Sequence, residues 1–210
     1  MRRTPFAVLF CILTLGGCVM TENIRPPQPM TAAPSSITVM SFNIRLGLGP
    51  EDPKAAISKM RWGRNLPAVL DAIRAEDADI VSLQEVAGSQ QAREIAQTLG
   101  MNVTFIEHGG DGSASKWWGV AILSKHPIVS SRTAQISWGR GDTRQVVIAT
   151  VNVGGRTLDA VAVHKDKDLK DGRSIHEILK AISPPDVPTL LIGDFNITPE
   201  DKRLAPLAAR

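Results

Sequence analysis

The chain has 210 residues, of which 43% are hydrophobic, enough for one well-buried domain and too few for two of ordinary size. The formal charge is +3, and Arg2 and Arg3 contribute to it from the extreme N-terminus, so the remainder is near neutrality and carries no basic run of the kind that grips a phosphate backbone. The only cysteines, Cys11 and Cys18, both lie in the N-terminal apolar stretch, which excludes a disulfide framework or a thiolate metal site in the folded part.

In chain order, Arg2 and Arg3 precede the apolar run from Phe6 to Leu15, which is too short for the ~20 residues of a membrane-spanning helix and reads as an export signal. Leu15-Gly16-Gly17-Cys18 follows and resembles the bacterial lipobox. The resemblance implies removal of residues 1–17, acylation of Cys18 and anchoring on the periplasmic or outer side of a bacterial membrane, with Val19 after the cysteine similar to outer-membrane sorting signals. Residues 18–36, with Pro26, Pro27, Pro29 and Pro34 among small polar side chains, are expected to form a flexible stalk that lifts the domain off the bilayer.

The domain is expected over 37–210. Ile37 to Asn43 alternates as a strand. Leu66, Val69, Leu70 and Ile73 recur at helical spacing, and Asp79 to Glu85 reads as the next strand. A short helix over Ala92 to Leu99 is stopped by Gly100, and Gly119 to Ser124 forms an apolar strand before Pro127. Gln145 to Val153 and Arg156 to His164 flank Gly154-Gly155 as a hairpin. Ile175, Ile178, Leu179 and Ile182 mark a further helix, closed by Pro184-Pro185, and Val187 to Gly193 a last strand.

Asn43, Glu85, Asp194 and Asn196 all fall where predicted strands end, positions that converge on one rim of a sheet. Four strings surround them in order: Ser41-Phe42-Asn43-Ile44-Arg45, Asp79-Ile80-Val81-Ser82-Leu83-Gln84-Glu85-Val86, Gly119-Val120-Ala121-Ile122-Leu123-Ser124-Lys125 and Gly193-Asp194-Phe195-Asn196. Together they resemble the endonuclease/exonuclease/phosphatase (deoxyribonuclease I-like) superfamily, whose fold is a four-layered α/β sandwich.

The resemblance implies a Mg²⁺-dependent phosphoester hydrolase, with Mn²⁺ as a possible substitute, acting by in-line attack of water. Glu85 would be the metal ligand, with Asn43 and Asp194 contributing. Asp194 would handle the water, while Asn196, Asn43 and His164 would contact the phosphate. Ala162-Val163-His164-Lys165 departs from the family's usual Asn-Thr-His-Leu around that histidine. His108, His126 and His176 lack such context and read as surface or loop residues. Trp117 and Trp118 could stack on a base or touch a lipid, but buried structural roles are commoner. Arg144 and Arg173 sit where the family often carries arginine, and with Lys125 they could shield phosphate charge, although arginines near strand and helix ends more often form structural ion pairs.

Substrate choice is open among nucleic acid, phospholipid head groups and small phosphoesters, with a phosphodiester favoured and a monomer expected. The family's pattern continues to an Asp-His motif that does not appear before Arg210. The expected domain is therefore incomplete, missing its C-terminal strands. The alternative reading is a catalytically inactive lipoprotein that binds a phosphorylated ligand or partner.

Overall fold

The computed structural model describes residues 19–25, 34–48, 63–108, 118–139, 143–167, 169, 171–182 and 187–208. The signal segment, Cys18 and Trp117 lie outside the described residues.

Two sheets face each other. The first holds β1 (Met20–Glu22), β2 (Val39–Asn43), β3 (Ile80–Val86), β4 (Asn102–Glu107) and β5 (Gly119–Ser124) in the order β1-β4-β5-β3-β2. The second holds β6 (Ile128–Ser137), β7 (Thr143–Val153), β8 (Arg156–His164) and β9 (Thr189–Asp194) in sequence order. Helices α1 (Leu66–Glu76) and α2 (Gly88–Leu99) cover the outer face of the first sheet, and α3 (Arg173–Ala181) and α4 (Ala205–Ala208) that of the second.

Both faces of the central strands are therefore buried, and this explains why β5 reads as a nearly unbroken apolar run and why even Ser82 and Gln84 of β3 are fully buried. Along β3, Ile80 points between the sheets toward Val147, Ala149 and Ala162, while Val81 and Leu83 point outward onto Val69, Ile73 and Ile95 of the helices. Each such fully buried aliphatic side chain contributes about 1.5–3 kcal/mol. The stripe Leu66, Val69, Leu70 and Ile73 is the buried face of α1, which stops at Asp77 in a left-handed conformation. Gly100, at φ +63, ends α2 as expected from the sequence, with its N–H and that of Met101 returning to carbonyls of the last turn.

The N-terminal stalk begins differently from the expectation. Met20–Glu22 is an edge strand, antiparallel to β4, with Thr21 Oγ1 2.9 Å from Thr104 Oγ1 and 2.7 Å from Ser131 Oγ of the other sheet. Asn23 exchanges two hydrogen bonds with the backbone of Ile128, at 2.9 and 3.0 Å. Val19, Met20 and Ile24 pack against buried clusters, so this segment has enough apolar surface to dock despite the prolines that follow it.

Candidate active site

Two strand pairs are parallel: β2 with β3, and β8 with β9. In each pair both chains run toward the same rim, and the two rims meet where the sheets face each other. Asn43 stands opposite Gln84 in the first sheet, and His164 opposite Asp194 in the second.

Across that junction the Asn43 amide nitrogen donates to Glu85 Oε1 at 3.0 Å and to Asp194 Oδ2 at 3.2 Å. One side chain thus ties together two carboxylates from different sheets. Asn43 Oδ1 accepts from the Arg45 N–H at 3.1 Å, so in this arrangement the amide acts as a spacer, and the oxygen expected to help hold a metal is turned to the backbone.

Glu85 sits at φ +55, where the β3–β5 register shifts between Gln84 and Val86. A bulge at a left-handed residue is unfavourable for a side chain with a Cβ, and it re-aims Glu85 out of the strand's alternation onto the rim. Asn196 has φ +52. Its N–H donates to Asp194 Oδ1 at 2.9 Å, fixing that carboxylate, and its side-chain nitrogen donates to the Lys165 carbonyl at 2.8 Å, leaving one amide hydrogen for a ligand. Gly193 precedes them at φ +156, where a Cβ would stand 2.0 Å from the Val163 carbonyl oxygen, so only glycine lets β9 approach β8 this closely.

His164 is buried, with Nε2 4.0 Å from Asp194 Oδ2. Burial pushes its pKa down to about 4; Asp194 and Asp166 oppose that shift and Arg144 adds to it. The ring is therefore neutral at pH 7, a hydrogen-bonding group with one N–H.

Around it stands a cluster that sequence reasoning missed. His108, expected at the surface, is buried with its ring 5.8 Å from that of His164, because it follows directly on β4 at the same rim. Burial, then Arg144 and His164, hold its pKa well below the ordinary imidazole value. Trp118 and Trp138 lie 5.5 and 5.6 Å from the His164 ring. The Arg144 guanidinium stacks on both indoles, 3.7 Å from the Trp138 ring and 4.6 Å from that of Trp118. Arg144 therefore belongs to this rim. The available signal was its position just inside a strand whose partner ends in His164.

Other charged candidates lie elsewhere. Lys125 pairs with Asp77 and Asp79 at the opposite end of the first sheet, and Arg173 pairs with exposed Asp171. His176 is exposed, as expected, and His126 is half-buried. A groove of about 710 Å³ adjoins the loop after β9; it includes Gly193, Asp194 and Asn196 but is otherwise lined mainly by apolar residues such as Leu191, Phe195 and Leu204.

Among the described residues no three His, Cys, Asp or Glu side chains converge to cage a metal. Two carboxylates meeting on one amide, at an accessible rim, fit a hard cation that keeps several waters.

The model of the Endonuclease/Exonuclease/phosphatase family matches residues 40–210. Among curated proteins, cwh43 of Schizosaccharomyces pombe is 30% identical over 100 residues, 46% of this chain, and the matched segment spans only 10% of that protein. Among solved structures, an endonuclease/exonuclease/phosphatase family protein from Leptotrichia buccalis superposes with a TM-score of 0.61 at 15% identity, covering 83% of this chain and 73% of that one. A mannosyl-6-phosphatase from Bacteroides thetaiotaomicron gives 0.60 at 20% identity, covering 83% and 70%. TDP2 from D. rerio, complexed with single-strand DNA product, gives 0.57 at 16%, covering 83% and 66%. At these identities the likeness is one of fold.

Proposed function

From the premise that this chain belongs to the endonuclease/exonuclease/phosphatase family, we propose that it is a metal-dependent phosphoester hydrolase acting on a phosphodiester. The observation that carries the reading is the meeting of Glu85 and Asp194 on the Asn43 amide at the rim shared by the two sheets.

Glu85, with Asp194, would hold Mg²⁺ or Mn²⁺, which when bound supplies positive charge against the phosphoryl oxygens. Asp194, fixed by the Asn196 N–H, orients the attacking water and takes its proton as the new P–O bond forms and the ester P–O bond breaks. The leaving oxygen takes a proton from solvent. Neutral His164 and the remaining Asn196 amide hydrogen donate to phosphoryl oxygens. Arg144, held rigid between two indoles, places a cation beside them. On the Leu15–Cys18 motif we place the protein in a bacterial cell envelope, anchored through acylated Cys18.

The test is hydrolysis of a phosphodiester panel with Mg²⁺ by the full chain and by its Glu85→Gln and Asp194→Asn variants, which preserve side-chain size. Each substitution is expected to lower kcat/KM by about 10²–10⁴ with folding unchanged. Full activity in either variant overturns the assignment.

A further inference from the structure

Strand direction in the first sheet fixes which end of the sandwich receives the N-terminal chain. β1 is antiparallel to β4, with Met20 opposite Phe105 and Glu22 opposite Val103. β4 runs toward the catalytic rim: Glu107 stands opposite Gly119, and Gly119 opposite Val86, the neighbour of Glu85. β1 therefore enters at the catalytic end and runs away from it.

Val19 is already packed against the core between the sheets. Cys18 is its covalent neighbour, with Cα atoms about 3.8 Å apart. Across the sheet, β4 and β5 stand between β1 and β3, so about 14 Å of strand spacing separates the point of entry from the strand bearing Glu85.

We propose that the catalytic rim faces the lipid bilayer, held there by acyl chains on Cys18, and that the site works on phosphoesters in the plane of the head groups. This rests on the hydrolase reading and on acylation of Cys18. A tether with no slack between the acylated residue and the core prevents the domain from turning its rim away. Among the described residues, exposed Arg45, Arg64, Lys167 and Lys202 on segments leaving that rim stand against exposed Glu107 and Glu200, while Arg173 is paired with Asp171, a balance that leans toward anionic head groups.

The experiment uses the acylated full chain in phosphatidylcholine/phosphatidylglycerol vesicles doped with head-group nitroxide lipid. Cys11 leaves with the signal and Cys18 is acylated, so one added cysteine is a unique labelling site. A fluorophore on Lys167→Cys, just past β8 at the rim, is compared with one on Arg156→Cys at the other end of that strand. β8 has nine residues, so its ends stand about 27 Å apart.

Nitroxide quenching is expected at position 167 and not at 156. Equal quenching, or quenching at 156 alone, overturns the orientation, and so does an unmodified Cys18 in the mass spectrum. A Gly-Ser spacer of about twelve residues after Cys18, reaching roughly 20 Å, is expected to erase the difference; a difference that survives it overturns the role of the short tether. Absence of turnover on a soluble phosphodiester, with the quenching pattern intact, counts against the hydrolase reading alone.

Discussion

Between about pH 7.5 and 4.5 the protein should lose more stability than its His164→Asn variant, by an amount set by the burial of one imidazole. In the unfolded chain this ring takes up a proton as the pH falls through the ordinary value near 6.5, whereas in the folded protein it does so only near 4. Within that window the unfolded state binds the extra proton, so stability falls as the pH falls. The contribution is whole above 6.5 and is used up as the pH approaches 4. The interval corresponds to roughly 3 kcal/mol, of which about 2.5 kcal/mol is lost by pH 4.5. Solvent screening takes little from this figure, since the side chain is 5% exposed. Against a total stability of about 5–15 kcal/mol the loss is large. Urea unfolding followed by tryptophan fluorescence at stepped pH measures it for both proteins. His108 and the carboxylates are common to both, so their effects cancel in the difference apart from their coupling to His164 itself. Parallel stability curves for wild type and His164→Asn would refute the claim that His164 is buried in its neutral form.

Gly193→Ala forces a Cβ to within 2.0 Å of the Val163 carbonyl. It should destabilise the protein by about 3 kcal/mol, lowering Tm in calorimetry by roughly 6–12 °C. Asp159, buried with Arg132 Nη2 at 2.7 Å and Thr150 Oγ1 at 2.7 Å, secures β7 to β8 far from the rim that carries Glu85 and Asp194. Asp159→Ala should lower stability in urea by about 3 kcal/mol while kcat of the surviving folded protein holds. Trp138→Leu removes one face of the Arg144 clamp and should raise KM roughly tenfold in steady-state kinetics, in line with loss of about 1 kcal/mol of cation–π attraction plus looser positioning. Dialysis against a chelator should abolish turnover, and added Mg²⁺ should restore it.

Elements with strong periodicity are legible in the sequence: the α1 stripe, the paired strands about Gly154-Gly155, and the strand ends carrying Asn43, Glu85 and Asp194. Strands β1, β4 and β6 were not anticipated. Over most of its ten residues β6 has polar or half-exposed side chains, so its pattern does not rise above that of a loop, and its pairing with β7 defines it. β1 spans only three residues and is defined by its partners in both sheets. His108 carries no local signature, and Arg144 only its position just inside a strand, because their setting is tertiary: they meet only once β4 and β7 bring their rim ends beside His164. Lys165, where the family resemblance led one to expect leucine, is fully buried, and its ammonium group donates to the Asp166 carbonyl at 2.7 Å. The departure from the family string therefore leaves the histidine's place on the rim intact.

The Asn43 amide reaches from one sheet to a carboxylate of the other, and the layer between them is held mainly by side chains without direction: Ile80, Val120 and Ile122 against Val147, Ala149 and Ala162. Hydrocarbon packing tolerates a small slide of one sheet over the other, while hydrogen bonds of 3.0 and 3.2 Å do not. On the hydrolase reading, turnover would therefore be a gauge of interlayer alignment. Warming, or trimming a methyl group midway between the sheets, is then expected to end activity while each sheet is still intact, with inactivation preceding the loss of secondary structure.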